Sequence, residues 1–237
     1  MNKTFSKALK VSLPVFFGYI AIGIAFGLML VQKGYPWWLS FVMSLFIFAG
    51  AGQYVAVGLF AAGTPLSMII FTELLVNIRH IVYGLSLITK FQSIGKWKYY
   101  IIFGLTDETY SLLTTTEVPE GSKPGPFYFF IALLDHSYWI LGSIIGAVAG
   151  SLIPFDFSGV DFALTALFVV LLIDQIEKTK DLLPPIIGSI VTIIAIILWR
   201  FGLFADANNI LLIALAAGIA TITLLRTRKT KNKEGNQ

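Results

Sequence analysis

The chain of 237 residues is 57% hydrophobic and only 13% charged. A soluble globular protein has about 25% charged residues, so this chain lacks the charge that a water-exposed surface needs. The net charge of +4 does not indicate a nucleic-acid-binding face, because the tail from Arg226 onward holds five basic residues and one acidic residue. There is no cysteine, which excludes disulfides and thiolate metal sites. We therefore predict an all-α integral membrane protein with no nucleic-acid partner.

Eight apolar segments follow one another along the chain. They cover approximately residues 13–31, 37–61, 65–89, 99–116, 127–150, 160–176, 184–203 and 209–225. The first has about 19 residues, enough to cross the roughly 30 Å hydrocarbon core of a bilayer. The sequence therefore predicts a polytopic helical bundle of seven or eight hydrophobic segments. It forms a single membrane domain over 1–225, with a basic tail over 226–237.

Basic residues at both ends of the chain indicate its orientation. Lys3, Lys7 and Lys10 precede the first segment, and the basic tail follows the last one. Cytoplasmic segments of membrane proteins are enriched in Lys and Arg, so we place both termini in the cytoplasm of a multi-pass cell-membrane protein. Eight full crossings would put the basic loop around Lys96 outside. That conflict disappears if 37–61 and one later segment do not cross fully.

A glycine-rich stretch lies inside the second segment. It has the sequence Ala49-Gly50-Ala51-Gly52-Gln53, and glycine weakens a helix. Irregular backbone at membrane depth persists only where protein covers it or where it lines a cavity. We therefore predict a broken or re-entrant helix near residues 49–53. A half-helix that starts at Gln53 would direct free N–H groups into the protein, where they can bind a carboxylate.

The sequence contains a faint internal repeat. Gly18-Tyr19, Gly23 and Gly27 recur as Ser137-Tyr138, Gly142 and Gly146, at a constant offset of 119 residues. Membrane carriers are often built from two such halves, with the substrate site between them. Glycine at every fourth position is also typical of close packing between membrane helices. We predict repeat halves over about 13–116 and 127–225, with simple packing as the alternative.

Polar residues form a stripe in the third segment. Glu73, Asn77 and His80 stand at positions i, i+4 and i+7, so they share one helical face. An ionisable group at the membrane centre costs roughly 2.5–3.5 kcal/mol on insertion scales and therefore needs a partner. This stripe can bind an amino group or relay a proton, or it can be a structural polar seam. Arg79 is placed to pair with an acid on another helix.

Three further acids lie in the fourth and fifth segments. Asp107 and Glu108 are adjacent and point about 100° apart on a helix, so at least one should meet a cation, a proton or Arg79. The alternative is a position near the membrane interface. Asp135 raises the same question beside His136. The predicted proton-coupling or buried charge network comprises Glu73, Arg79, His80, Asp107, Glu108 and Asp135. Two histidines without a His-Glu-x-x-His pattern predict no metal site, and we expect no cofactor.

Several segments resemble a known family. Residues 48–54, 77–87 and 106–110 resemble the signature segments of the AzlC family, and the second carries the block Asn-x-Arg-His-x-x-Tyr-Gly-x-Ser. Residues 18–27 resemble its first helix, and residues 138–142 resemble the start of its second half. The resemblance covers the chain from about 13 to 225. Gly52 departs from it, since serine is more usual there.

The resemblance implies a permease for branched-chain amino acids, usually an exporter. It also implies a small membrane subunit of the AzlD type as partner and the proton-motive force as energy source. The residues themselves indicate only a compact transporter with buried ionisable groups, which is consistent with moving a zwitterion. We predict that Gly50, Gly52, Gln53 and Asn77 bind the substrate. A channel-like or structural subunit and a carrier of other small zwitterions stay open as alternatives. An intramembrane enzyme that uses Asp and His is the least favoured reading, so we expect no enzyme.

Overall fold

A computed structural model of the chain describes residues 3–153, 162–202 and 208–234. These residues form ten α-helices and one 3₁₀ turn, Gln92–Ile94, and no strand occurs among them. The all-α fold is thus confirmed. The helices are α1 (Lys3–Gln32), α2 (Trp37–Phe46), α3 (Gly50–Ala61), α4 (Leu66–Phe91), α5 (Trp97–Phe103), α6 (Asp107–Thr115), α7 (Pro124–Leu152), α8 (Phe162–Thr179), α9 (Leu183–Arg200) and α10 (Asn208–Glu234).

Four stretches in the described part of the chain could cross a membrane by length and composition. Three of them are the helices α1, α7 and α9. The fourth is the stretch Leu66–Ile94, which contains α4. The expected count of seven or eight hydrophobic segments is therefore not confirmed. Two of the predicted segments, 37–61 and 99–116, are each divided between two short helices. The uniform hydrophobicity of such a segment does not reveal where its helix is interrupted.

The predicted break in the second segment is present, although it begins earlier than expected. Helix α2 ends at Phe46 and α3 begins at Gly50. Phe48 lies between them with φ of 41°, a left-handed conformation that is uncommon for residues other than glycine. The prediction that the half-helix starts at Gln53 is wrong, because the Gln53 N–H donates to the Ala49 carbonyl at 2.8 Å. The N–H groups without an intrahelical acceptor belong to residues 50–52.

A second break interrupts the fourth predicted segment. Helix α5 ends at Phe103 and α6 begins at Asp107. Thr106 caps α6, and its side chain accepts the N–H of Thr109 at 3.2 Å. Asp107 and Glu108 occupy the first turn, where the helix dipole favours negative charge. The interruption therefore has a local cause in the sequence, namely a threonine cap followed by two acids.

The chain divides into two compact units. The first comprises Met1–Ala61 and Val76–Leu167, and the second comprises Ala62–Leu75 and Phe168–Gln237. In the second unit α9 packs against α10, which continues through most of the basic tail to Glu234. Residues 235–237 of that tail lie outside the described residues. The repeat halves over 13–116 and 127–225 stay a prediction.

In the first unit, α1 and α7 cross in direct backbone contact. An ideal Cβ atom on Gly27 would lie 2.2 Å from the Ser143 carbonyl oxygen, and one on Gly146 would lie 2.0 Å from the Ile24 carbonyl oxygen. Such distances leave no room for any side chain. Four of the repeat's five glycines therefore lie where the two helices touch, which is the packing role expected of small residues in membrane helices. They are Gly23, Gly27, Gly142 and Gly146.

Candidate functional site

The first unit contains two interrupted helices, α2–α3 and α5–α6, and both meet α7 at the buried side chain of His136. The His136 Nε2 lies 3.0 Å from the Ser44 carbonyl oxygen of α2, and its Nδ1 lies 2.8 Å from the Tyr100 hydroxyl of α5. Phe48, in the first break, places its ring 4.3 Å from the imidazole between centroids. His136 therefore contacts the upstream half of each broken helix.

The partners of His136 determine its tautomer. A carbonyl oxygen only accepts hydrogen bonds, so Nε2 carries the hydrogen that faces Ser44. In the neutral ring, Nδ1 then accepts the hydrogen of the Tyr100 hydroxyl. The Ser44 carbonyl is among the last four of α2, which have no intrahelical donor. His136 thus satisfies one of these carbonyls at the end of a half-helix inside the protein.

Asp135, the residue before His136, faces the start of α6. Its side chain is fully buried, with 0% exposed. The Thr109 hydroxyl donates to Asp135 Oδ2 at 2.8 Å, while Oδ1 has no hydrogen-bond partner among the described residues. The Tyr19 hydroxyl donates to Glu108 Oε2 at 2.8 Å. Within the described ranges, neither carboxyl forms an ion pair with Lys or Arg.

Helix α6 is attached to α4 at both ends. Arg79 forms an ion pair with Asp107 in the first turn of α6, which is the pairing with an acid that the sequence indicated. Lys90 Nζ donates to the Leu113 carbonyl in the last turn at 2.5 Å. Between these contacts the rings of Tyr83 and Tyr110 stack, with centroids 4.5 Å apart. These contacts hold α6 along the side of α4.

Gln53 lies at the centre of a second polar cluster and is fully buried. Its Oε1 accepts the indole N–H of Trp139 at 2.8 Å, and its Nε2 donates to the Ser44 hydroxyl at 3.2 Å. Gly50 packs on the same indole, because an ideal Cβ there would lie 3.0 Å from Trp139 Cη2. Gly52 is buried in the first turn of α3. Gln53 and Gly50 thus fix the start of α3 against α7.

The polar stripe of the third segment lies on α4, which is a continuous helix. Glu73 belongs to the second unit, whereas Asn77 and His80 belong to the first. The His80 ring lies 6.1 Å from that of Tyr83 between centroids. The structure places His80 beside the α4–α6 contact rather than beside Asp135 or Gln53. The binding and proton-coupling roles of these three residues stay predictions.

Several residues of the site are hydroxyl-bearing side chains that were not predicted as site residues. Tyr19, Thr106 and Thr109 connect the two carboxyls, and Tyr100 orients His136. Thr106 carries a local signal, since it precedes two acids at a helix start. Tyr19 carries none, because its contact with Glu108 spans 89 positions of the sequence.

The chemistry available at this site is proton binding and hydrogen bonding. In the part of the chain that the structure describes, no group of three or more His, Cys, Asp or Glu residues could hold a metal ion. The site instead combines a buried carboxyl, a second carboxyl, several hydroxyls and the free N–H groups of a half-helix. Such a combination can hold a proton and a polar solute away from water.

The chain is similar to known membrane proteins. Residues 14–153 match the family model described as AzlC protein. The chain is 37% identical over 223 residues to the branched-chain amino acid transport protein AzlC of Bacillus subtilis, covering 94% of this chain and 85% of that one. It is 37% identical over 225 residues to an uncharacterized membrane protein of Helicobacter pylori, covering 94% and 96%.

A third relative is the inner membrane protein YgaZ of Escherichia coli, 32% identical over 188 residues, with 76% of this chain and 77% of that one covered. No solved structure matches the chain. The family model covers more than half of the chain, and the matches to the relatives extend over most of it. The chain is therefore a membrane protein of the AzlC family.

Proposed function

We propose that the chain is a secondary transporter that exports branched-chain amino acids across the cell membrane, driven by the proton gradient. The observation that carries this proposal is the meeting of two interrupted helices at α7 beside the fully buried carboxyl of Asp135. Interrupted helices near buried ionisable groups are how many carriers build their substrate and ion sites. The printed name of the Bacillus subtilis relative supplies the substrate class.

The substrate carboxylate is proposed to bind at the first turn of α3. The N–H groups of residues 50–52 have no intrahelical acceptor, and the positive end of the helix dipole favours an anion there. Gly50 and Gly52 are proposed to line this turn, and neither adds a side chain, although Gly50 packs on Trp139. Gln53 is proposed to hold this turn in place through Trp139, and Asn77 is proposed as a polar contact of the substrate.

The proton is proposed to bind at Glu108 and Asp135. Asp107 is already paired with Arg79, whereas no Lys or Arg in the described ranges pairs with the other two acids. A buried carboxyl without a cation is more stable when it carries a proton. Release of that proton to the cytoplasm is therefore a step that a proton gradient can drive.

A small membrane subunit of the AzlD type is proposed as the partner, as the family resemblance implies. Many apolar side chains on α4 and α9 are exposed, among them Ile70, Ile81, Ile193 and Ile197. Exposed apolar residues in a membrane protein contact lipid or another membrane helix. Both termini are proposed to lie in the cytoplasm, in accordance with the positive charge at each end.

The test is isoleucine export from peptide-fed bacterial cells that lack their own exporters of this class. The chain is expressed with and without the small subunit, and intracellular isoleucine and efflux are measured. We expect faster efflux with the pair and loss of that efflux when a protonophore removes the gradient. Absence of any effect, despite confirmed membrane expression, would leave the fold standing, contradict isoleucine export and return the substrate to unknown.

The same assay separates a carrier from a channel-like subunit. A carrier gives saturable flux that distinguishes L-isoleucine from D-isoleucine, because it binds its solute during each cycle. Flux that rises linearly with concentration and ignores chirality would favour the channel. If efflux also occurs in cells without the small subunit, the transport proposal stands but the complex is not required.

A further inference from the structure

Three hydroxyl groups form a continuous hydrogen-bonded chain between two carboxyls in the first unit. Glu108 Oε2 lies 2.8 Å from the Tyr19 hydroxyl, which lies 2.5 Å from Thr106 Oγ1. Thr106 Oγ1 lies 3.1 Å from Thr109 Oγ1, which lies 2.8 Å from Asp135 Oδ2. Tyr19, Thr106, Thr109 and Asp135 are all buried. The chain thus runs from α6 through α1 and back through α6 to α7.

The number of hydrogens in this chain determines how many of its links can form. Four links join the five groups, and each link needs one hydrogen. The three hydroxyls supply three, so two ionised carboxylates would leave one pair of oxygens facing each other without a hydrogen. One proton on either carboxyl completes all four links. Two protons would give five hydrogens for four links, and one would have no acceptor within the chain.

We propose that Glu108, Tyr19, Thr106, Thr109 and Asp135 form a proton wire that holds a single proton shared between its two terminal carboxyls. This inference rests on the proposed function and specifies how its proton site works. When the proton is on Glu108, every hydroxyl donates toward Asp135. When the proton moves to Asp135, Glu108 gives its hydrogen to Tyr19, and each hydroxyl passes its own hydrogen to the next group toward Asp135. All three hydroxyls then donate toward Glu108. No atom is gained or lost, and the net charge stays at −1.

The Thr106 oxygen is able to serve both directions. It accepts the backbone N–H of Thr109 at 3.2 Å in either state. A hydroxyl oxygen can accept two hydrogen bonds and donate one. In one state its second acceptor site receives the Tyr19 hydrogen, and in the other it receives the Thr109 hydroxyl hydrogen. The helix cap of α6 is therefore compatible with both arrangements.

The neighbouring ionisable groups have their own partners. Asp107 is paired with Arg79 of α4. His136 of α7 bonds Ser44 and Tyr100. Two tyrosines on the adjoining helices also have partners outside the wire: the Tyr138 hydroxyl lies 3.1 Å from the Ser12 hydroxyl, and the Tyr54 hydroxyl donates to the Ile22 carbonyl. The fully buried Asp135 Oδ1, which has no partner among the described residues, gives the wire a proton-accepting end.

The wire has an experimental signature in single amide substitutions. In Asp135→Asn, the amide can donate the fourth hydrogen to Thr109, so that Glu108 accepts from Tyr19 as an ionised carboxylate. In Glu108→Gln, the amide can donate to Tyr19, so that Asp135 is ionised. Either substitution alone therefore removes the shared proton. Two independent carboxylic acids would instead each lose only their own proton.

The test is infrared spectroscopy of the full chain in lipid nanodiscs, with aspartate or glutamate labelled by ¹³C so that each carboxylic acid C=O band can be assigned. At neutral pH we expect one protonated carboxyl in the wild type and complete loss of its band in either Asp135→Asn or Glu108→Gln. The wire would be overturned if the carboxylic acid band survived in either single variant. It would also be overturned if neither substitution removed a band that the wild type shows.

Tyr19→Phe and Tyr138→Phe form a matched pair, since each removes one buried hydroxyl and only the first cuts the wire. In the Tyr138→Phe background, adding Asp135→Asn should abolish the glutamic acid C=O band, as Asp135→Asn does in the otherwise unchanged protein. In the Tyr19→Phe background, adding Asp135→Asn should leave the pH titration of that band unchanged. Equal effects in both backgrounds would indicate charge repulsion through space and overturn the wire.

A second cut is available if Tyr19→Phe does not fold. Thr109→Val removes the hydroxyl next to Asp135, and Thr109→Ser keeps one as the control. We expect Thr109→Val to uncouple the two carboxyls and Thr109→Ser to keep them coupled. This readout is proton binding rather than flux. Failure of the wire therefore leaves proton-driven export to be judged by the efflux assay, and failure of export leaves the infrared result intact.

Discussion

Asp107 and Glu108, adjacent in the first turn of α6, bind side chains of two different helices. Asp107 pairs with Arg79 of α4, whereas the adjacent Glu108 accepts from Tyr19 of α1. Adjacent residues of a helix point about 100° apart, so one turn of α6 can face two different helices. One acid of the pair is compensated by a cation and the other belongs to the hydroxyl chain.

The Arg79–Asp107 pair should contribute measurably to stability. Its side chains are 31% and 23% exposed, so we expect a loss of about 2 kcal/mol for Arg79→Met or Asp107→Leu, between the values for surface and buried pairs. The double variant should lose less than the sum, because neither charge is left unpaired. Thermal unfolding in detergent measures this, and strictly additive losses would contradict a direct interaction.

The crossing of α1 and α7 should not tolerate a methyl group at its closest points. Gly27→Ala and Gly146→Ala place a Cβ within 2.2 Å of backbone oxygen, so we expect a loss of at least about 3 kcal/mol, the upper range of overpacking, or a failure to fold. Gly18→Ala is the control, because nothing lies within 4 Å of its Cβ position. Expression level and unfolding temperature measure the effect, and equal results for Gly18 and Gly27 would refute the close crossing.

The tautomer of His136 is a direct prediction of its hydrogen bonds. Only two histidines are present, so ¹⁵N NMR of histidine-labelled protein with the His80→Gln substitution observes His136 alone. We expect the Nε2–H form, since the Ser44 carbonyl can only accept. Tyr100→Phe should change the Nδ1 shift without changing the tautomer. An Nδ1–H form in the otherwise unchanged protein would contradict the described contact.

Gln53 should be needed for stability through both ends of its amide. Gln53→Met leaves the Trp139 N–H without its acceptor and the Ser44 hydroxyl without a donor, so we expect a loss of about 2 kcal/mol. Trp139→Phe alone should lower the free energy of unfolding by less than Gln53→Met does. Gln53→Met should also cost less when it is added to Trp139→Phe than when it is made in the wild type. Unfolding in detergent gives these values. Independent effects would contradict the contact.

Some of the site could be predicted from local sequence. Gly50 and Gly52 indicated an interrupted helix, and Arg79 indicated an acid on another helix; both features are present. The position of the break was displaced because Phe48, rather than a glycine, adopts the left-handed conformation. The break at 104–106 was not predicted, since hydrophobicity masks it, although Thr106 with two following acids is typical of a helix start.

The long-range contacts could not be predicted in the same way. Tyr19 belongs to the sequence repeat and to the family-like first helix, but neither predicts that its hydroxyl contacts residues 87 and 89 positions away. A tyrosine or threonine in a membrane helix is too common to mark a site by itself. What identifies these residues is their contacts between α1, α6 and α7, which appear only in three dimensions. The spaced glycines indicate close packing of membrane helices, but not which helices touch.

That crossing also determines which parts of the first unit can move. Where two backbones touch without intervening side chains, neither helix can slide or rotate against the other without a collision of main-chain atoms. We therefore expect helices α1 and α7 to behave as one rigid frame. For the proposed transport, we therefore expect opening toward either side of the membrane to come from the half-helices, through the short breaks at 47–49 and 104–106.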